Sequence, residues 1–341
     1  MSYNWAQFVK LSRTGRFSPF YMTALFVGIA VSCSVASTGR AAEESSVRRV
    51  AITFDDLPGA ALTQDQRCDA TKLLSVSTRI LAPFLNNGWP TTAFVTEGRL
   101  CDELDDAALD AVLEKWIDAG AELGNHTYSH RDLNNQSVQE YTDDIIRGET
   151  ALRRVLGARG KTLRYFRYPL LHAGDEPEKK RSVASFLKER GYSNGLVTMD
   201  NQEFVYAEVY ARALGRGDEA MMSRVVDGYL LYLEESVAYY ENLSMERFGR
   251  DIPHVLLLHV TALNADHIDK VLSLLQDRGY AFESLESVLG DEVYEQDDVY
   301  VGPVGLSWIH RWFEDGVIES KNEPRESDEI RELFRTYPAK K

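Results

Sequence analysis

Short strand-like runs recur along the chain, at Val50 to Phe54, Thr91 to Val95, Ala121 to Leu123, Tyr165 to Arg167, Gly195 to Val197, Val255 to Leu258 and Ala281 to Phe282. Between them lie stretches with apolar positions at helical spacing, among them 107–119 and 266–278. Strand-length runs alternating with helical stretches predict parallel strands joined by helical crossovers, hence an α/β fold. The region 49–289 is of the size of one α/β barrel, a fold of roughly 250 residues. Inside it, Met221, Met222, Val225, Val226, Tyr229, Leu230, Leu233 and Val237 recur at helical spacing, so 205–251 reads as a two-helix insertion with an amphipathic face against the barrel. The remainder, 290–341, carries Trp308, Trp312 and Phe313 and is expected to pack on the barrel before ending in a charged tail.

Two segments carry candidate chemistry. The first strand runs into Asp55-Asp56 and then Leu57-Pro58-Gly59, placing two carboxylates where a buried strand gives way to a loop. The second is Gly124-Asn125-His126-Thr127-Tyr128-Ser129-His130, where the i, i+4 histidines would project from one side of a helical turn. A lone histidine reads as structural, but a His-x3-His pair together with Asp-Asp supplies three ligands for a divalent metal. One carboxylate is left over to act as a base.

These motifs resemble the polysaccharide deacetylase family, the NodB-homology carbohydrate esterases of family 4. Thr53-Phe54-Asp55-Asp56 matches the family's first motif, implying that Asp55 is the base and Asp56 a metal ligand. His126, Thr127 and His130 match the second, with both histidines as ligands, and Phe166-Arg167-Tyr168-Pro169 matches the third, with Arg167 orienting the base. The fourth motif ends in Asp-Trp in the family but reads Asp200-Asn201-Gln202-Glu203-Phe204 here, so Glu203, or Asp200, takes the tuning role. Leu257-Leu258-His259 matches the fifth, with His259 as general acid. The resemblance implies a distorted (β/α)7 barrel with a helical insertion. It also implies a divalent metal, with zinc foremost and cobalt, manganese or nickel as alternatives.

The implied activity is N-deacetylation of an acetylated amino-sugar glycan such as peptidoglycan, a chitin-like polymer or an exopolysaccharide. Hydrolysis of another amide or ester (acetylxylan, a small cyclic amide) and a non-catalytic glycan-binding role are the alternatives. Tyr168, Pro169, Asp200 and Phe204 are candidate substrate contacts. The insertion's Tyr229, Tyr232, Tyr239 and Tyr240 serve the core or else line a sugar groove or a dimer contact. His172, His254, His267 and His310 are assigned no metal; His172 reads as a surface-loop residue and His267 as capping or solvated.

Charge and cysteine usage narrow the setting. The formal net charge is -15, which disfavours nucleic acid and anionic membranes and suits a neutral or N-acetylated glycan. Lys10, Arg13 and Arg16 precede the apolar stretch Phe20 to Val31 and then Ser34-Val35-Ala36, the pattern of a secretory signal peptide over 1–36, with cleavage between 36 and 42. Export to the periplasm or medium follows, with no stable membrane span in the mature protein. Lipid anchoring through Cys33 and a retained signal anchor are the alternatives. After cleavage Cys68 and Cys101 form an even pair, for which a disulfide and two buried free thiols are both open. N-terminal sequencing of protein recovered outside the cytoplasm is expected to start between residues 37 and 43; Met1 or Ser2 on most molecules contradicts the leader.

Overall fold

The computed structural model describes residues 47–339; the expected leader 1–36, with Cys33, lies outside the described residues. Seven parallel strands form one curled sheet: β1 (Arg48–Leu57), β2 (Thr92–Val95), β3 (Glu122–Asn125), β4 (Tyr165–Phe166), β5 (Ser193–Asn194), β6 (His254–His259) and β7 (Tyr280–Phe282), in the order β5-β4-β3-β2-β1-β6 with β7 beside the start of β1. The curl closes because Met199 bridges to Leu256 on β6, with Met199 N donating to Val255 O and Leu257 N donating to Met199 O. The result is a distorted (β/α)7 barrel. The fifth strand sits two residues earlier than its apolar run suggests: Ser193 and Asn194 pair with β4, and the run Gly195 to Val197 carries the chain across to β6.

Helices Ala70–Asn87 and Asp106–Asp118 pack together over Phe54 of β1. Each begins at an aspartate whose side chain accepts a backbone N–H of the first turn, Asp69 from Lys72 and Asp105 from Ala108. Their apolar faces meet in an edge-on aromatic cluster, Phe54 against Phe84 and Trp116, and the buried Trp116 indole N–H donates to Ser77 Oγ at 3.0 Å. The stretch read as an insertion forms the helices Glu203–Arg216 and Glu219–Phe248, turning at Gly217 in the left-handed region. Val225, Val226, Tyr229, Leu233 and Val237 of the long helix are buried, Tyr206 stacks on Tyr232, and the C-terminal helix Asp328–Thr336 lies on Glu203–Arg216. Among the described residues, no helix is long and apolar enough to cross a membrane.

Cys68 and Cys101 are disulfide-bonded, 5.3 Å apart at Cα, and both are half-buried. The bridge ties the end of the short helix Gln64–Arg67 to the loop after β2, beside the segment Glu97–Arg99 that borders the cavity. It closes a loop of 33 residues in sequence, for which loss of the crosslink costs about 2–4 kcal/mol. Cys101→Ser is therefore expected to lower the urea midpoint by that equivalent, and an unchanged midpoint would show that the bridge does not constrain the chain.

Candidate active site

The first strand does not simply end at its acids. β1 continues to Leu57, but its register against β2 shifts between Phe54 and Leu57, and Asp56 has φ 67°. A bulge breaks the strict alternation of side chains along a strand, so neighbouring residues can face one cavity. Asp55 and Asp56 both line a cavity of about 660 Å³ at the C-terminal ends of the strands, where barrel enzymes build their sites. Asp55 pairs in register with His259 of β6, which puts an acid and an imidazole side by side on that rim.

The two histidines arrive differently from the expectation. Residues 126–130 form no helical turn; they are a tight loop beyond β3, with Thr127 at φ 63° and His130 at φ 54°. Asn125 Oδ1 accepts from Thr127 N, and Thr127 Oγ1 accepts from His130 N, which folds the loop back on itself. The rings come together all the same, with centroids 5.0 Å apart. Donor atoms of Asp56, His126 and His130 all lie within 4.8 Å of one another.

Several observations fit this cluster to a divalent metal. Asp56 Oδ1 is buried and makes no hydrogen bond, only an ion-pair contact with Arg99 Nε at 2.9 Å. His126 Nδ1 lies 2.8 Å from the carbonyl of Arg167, which fixes the proton on Nδ1 and leaves Nε2 as a free donor pair. Burial, reinforced by the neighbouring His130, holds His126 far below the usual histidine range, and burial lowers His130 as well. Both rings are neutral, as ligands must be. Burial pushes the Asp56 carboxyl up, but the positive charge about it, that of Arg99 foremost, outweighs burial and leaves the group below its ordinary value.

Asp55 is treated differently. Its Oδ1 accepts from Arg167 Nη1 at 2.7 Å, while Oδ2 lies 3.5 Å from His126 Nε2. Arg167 is wholly buried, donates also to Thr53 Oγ1 and to the carbonyl of Gly195, and lies over the Phe94 ring at 4.0 Å. Three fixed acceptors and a ring face leave that guanidinium no freedom. Opposite it, Glu203 Oε2 lies 2.8 Å from His259 Nδ1, and Glu203 Oε1 accepts from Thr261 Oγ1 and Asn264 Nδ2. Burial would lower His259, but the hydrogen bond and charge of Glu203, with help from Asp56 and Asp55, raise it to about 9. The Glu203 side chain, longer than the family's aspartate, is accommodated because the residue opens the helix Glu203–Arg216 with its N–H donating to Asn201 Oδ1.

Of the other candidate residues, Asp200 and Phe204 line the cavity, Phe204 with an exposed ring 6.3 Å from His259. Tyr168 and Pro169 are buried and are not among the residues that line the cavity, Tyr168 edge-on to Phe166; the turn after them lines it through exposed Leu170, buried Leu171 and half-buried His172. His172 lines the cavity and is held by Asp132 at 2.7 Å. His254, His267 and His310 lie off it, bonded to Thr198, Tyr210, and Ser307 with Tyr239 respectively.

Arg99 had no signal in the sequence. Its Nε lies 2.9 Å from Asp56 Oδ1, and its loop is fixed because Gly98 N donates to Tyr128 O, so close that a Cβ at Gly98 would stand 2.6 Å from that oxygen. The C-terminal extension was likewise unassigned, yet Gly305 and Phe334 complete the cavity wall. A Cβ at Gly305 would sit 2.0 Å from the Leu170 carbonyl, so only glycine lets the extension seat on that turn.

The site is thus a parallel barrel with paired carboxylates and histidines at its C-terminal rim. Residues 42–190 match the family model described as polysaccharide deacetylase. The match covers Asp55, Asp56, His126, His130 and Arg167 and stops before Glu203 and His259. No curated protein matches the chain. Among solved structures, a mutant of a CE4 family pseudoenzyme from Bacillus anthracis with restored enzymatic activity is 19% identical, over 72% of this chain and 69% of that one, with a TM-score of 0.46. A family 4 carbohydrate esterase from Streptomyces lividans in complex with acetate is 20% identical, over 71% and 95%, with a TM-score of 0.42. The peptidoglycan deacetylase PdaC from Bacillus subtilis is 20% identical, over 71% and 92%, with a TM-score of 0.43. These likenesses bring none of those proteins' activities to this chain.

The His259–Glu203 pair sets a measurable titration. A folded-state pKa raised above the ordinary histidine value means the pair contributes stability fully below that value and loses it as pH rises through about 9. In Glu203→Gln the carboxylate is gone and burial remains, so the His259 resonance in a ¹⁵N NMR titration is expected to move down to the ordinary range or below it. A titration unmoved by the substitution would detach Glu203 from His259.

Proposed function

We propose that the protein is a metal-dependent N-deacetylase of an acetylated amino-sugar glycan. The observation that carries the reading is the opposite treatment of two imidazole sets in one cavity: His126 and His130 are held neutral beside Asp56, while His259 is held protonated beside Asp55. Neutral imidazoles and a carboxylate are a ligand set, for which zinc is the first choice. A protonated imidazole is an acid, and an amine leaving group needs one far more than an alcohol does. That contrast supports an amide over an ester.

Asp56, His126 and His130 would hold the metal. When bound there, it supplies Lewis-acid polarisation of the acyl oxygen and lowers the pKa of water. Asp55 takes the water proton at Oδ2, since Oδ1 is committed to Arg167. Arg167 holds that carboxylate in one orientation. His259 carries its second proton on Nε2, because Nδ1–H is given to Glu203, and delivers it to the departing nitrogen. Phe204 offers an exposed ring beside His259 on which a pyranose can rest. Action outside the cytoplasm is part of the same proposal; the Cys68–Cys101 bridge supports it, since such bonds persist in oxidising compartments.

The two acids are separable by experiment. Asp56→Ala or His126→Ala removes one of three protein donors and is expected to strip the metal, measured by inductively coupled plasma analysis. Asp55→Asn keeps size and hydrogen bonding, so metal content is expected to stay near stoichiometric while acetate release from chitooligosaccharides falls by about a hundred- to ten-thousandfold. Metal loss in Asp55→Asn, or full turnover with metal bound, would reverse the roles assigned here.

A further inference from the structure

A second cavity, of about 300 Å³, adjoins the first, and the two share Asp200, Asn201 and Gln202 as a common wall. Its far sides come from parts of the chain beyond the family match: the long helix Glu219–Phe248, through Tyr232, Ser236 and Tyr240, and the segment 320–331 of the C-terminal extension. The shared ridge is rigid. Asn201 Nδ2 donates to the Leu257 carbonyl on β6, Asn201 Oδ1 accepts from Glu203 N, and Tyr232 OH accepts from Gln202 N.

The lining selects a ligand class. Pro324 is its one residue without a polar side chain, so a lipid or acyl chain finds no floor. Acids and bases are mixed, Glu323 and Glu326 with Arg325 and Arg331, so neither a polyanion nor a polycation is favoured. Glu323 is clasped by Tyr240 OH at 2.9 Å and His310 at 3.1 Å, and burial beside Asp200 raises it to about 8. At neutral pH it is an uncharged group that both donates and accepts. Donors and acceptors on every side, with little net charge, suit a neutral polyol.

From this we infer that the second cavity binds the sugar unit adjoining the one deacetylated, so that the glycan crosses the Asp200–Gln202 ridge. The inference rests on the deacetylase reading for the identity of the first unit. Contacts at a neighbouring unit supply binding that a monosaccharide cannot use.

The test measures binding separately from turnover. In metal-loaded Asp55→Asn protein, calorimetry with N-acetylglucosamine and N,N′-diacetylchitobiose is expected to give at least tenfold tighter binding of the disaccharide. Adding Ser320→Trp, which fills the cavity from its half-buried rim, or Glu323→Ala, should cut disaccharide affinity at least fivefold and leave the monosaccharide unchanged. Equal affinity for the two sugars, no disaccharide binding, or equal losses for both in the variants would overturn the inference. Acetate release by the wild-type protein reports on the deacetylase reading alone: its absence, with the binding pattern intact, would sink that reading and leave the second site standing.

Discussion

The irregularity in β1 at Asp55 and Asp56 is the constraint from which the rest of the site follows. β1 touches three other strands, and a regular strand there would send adjacent side chains to opposite faces of the sheet. The register shift, with Asp56 in the left-handed region, turns both carboxylates to the same cavity. A non-glycine residue at positive φ costs of order 1–3 kcal/mol and persists only where its surroundings over-determine it. Here they do: Asp55 is locked by Arg167 and Asp56 is surrounded by Arg99 and two imidazoles. The β1–β6 register then sets His259 beside Asp55 without any further adjustment.

Because the two acids are adjacent, only their surroundings can distinguish them. A wholly buried guanidinium with fixed acceptors takes one oxygen of Asp55 and leaves the other turned to the cavity. Asp56 has no buried guanidinium with fixed acceptors; its Oδ1 has the ion-pair contact of the half-buried Arg99 and two neighbouring imidazoles but no hydrogen bond, and it can turn to a cation held with those rings. The same logic separates the histidines. Burial acts on His126, His130 and His259 in one direction, towards the neutral ring; of these three, His259 has a carboxylate hydrogen-bonded to it, and that one contact reverses the sign. Environments that push like groups apart are how a single pocket holds acid and base together at neutral pH.

The sequence made legible whatever depends on local period and short motifs. Six of the seven strand runs fall on ladders, and Asp55, Asp56, His126, His130, Arg167, Glu203 and His259 converge on one rim. What it concealed depends on tertiary contact. The His126–His130 loop has helical spacing but turns through positive-φ residues pinned by Asn125 and Thr127, and spacing alone does not separate the two geometries. Tyr168 and Pro169 sit next to Arg167 in sequence, yet the turn at Leu170 and Leu171 puts them beneath the surface. Arg99 reaches Asp56 from a loop with no periodic pattern, and its placement rests on the backbone contact of Gly98 with Tyr128. The partnership of Cys68 with Cys101 required the distance between two loops.

The site is assembled from two halves with different dependencies. Asp55, Asp56, the two histidines and Arg167 are held by the barrel's own strands and their loops. The acid half, from Asp200 to Glu203 with His259, is braced by Tyr232 of the long helix and by Thr261 and Asn264, and it forms the ridge between two cavities. Phe204, Glu208 and Arg212 wall one side of that ridge and meet Phe334, whose carbonyl takes a hydrogen bond from Arg212. The helix pair and the segment around Phe334 touch the half that holds His259, while Gly305 of the extension seats on the Leu170 turn beyond Arg167. Changes near Phe334 and in the helix pair can reshape the surroundings of Phe204 and His259 while Asp55, Asp56 and the two histidines keep their positions, because a strand-borne group moves only if the sheet does.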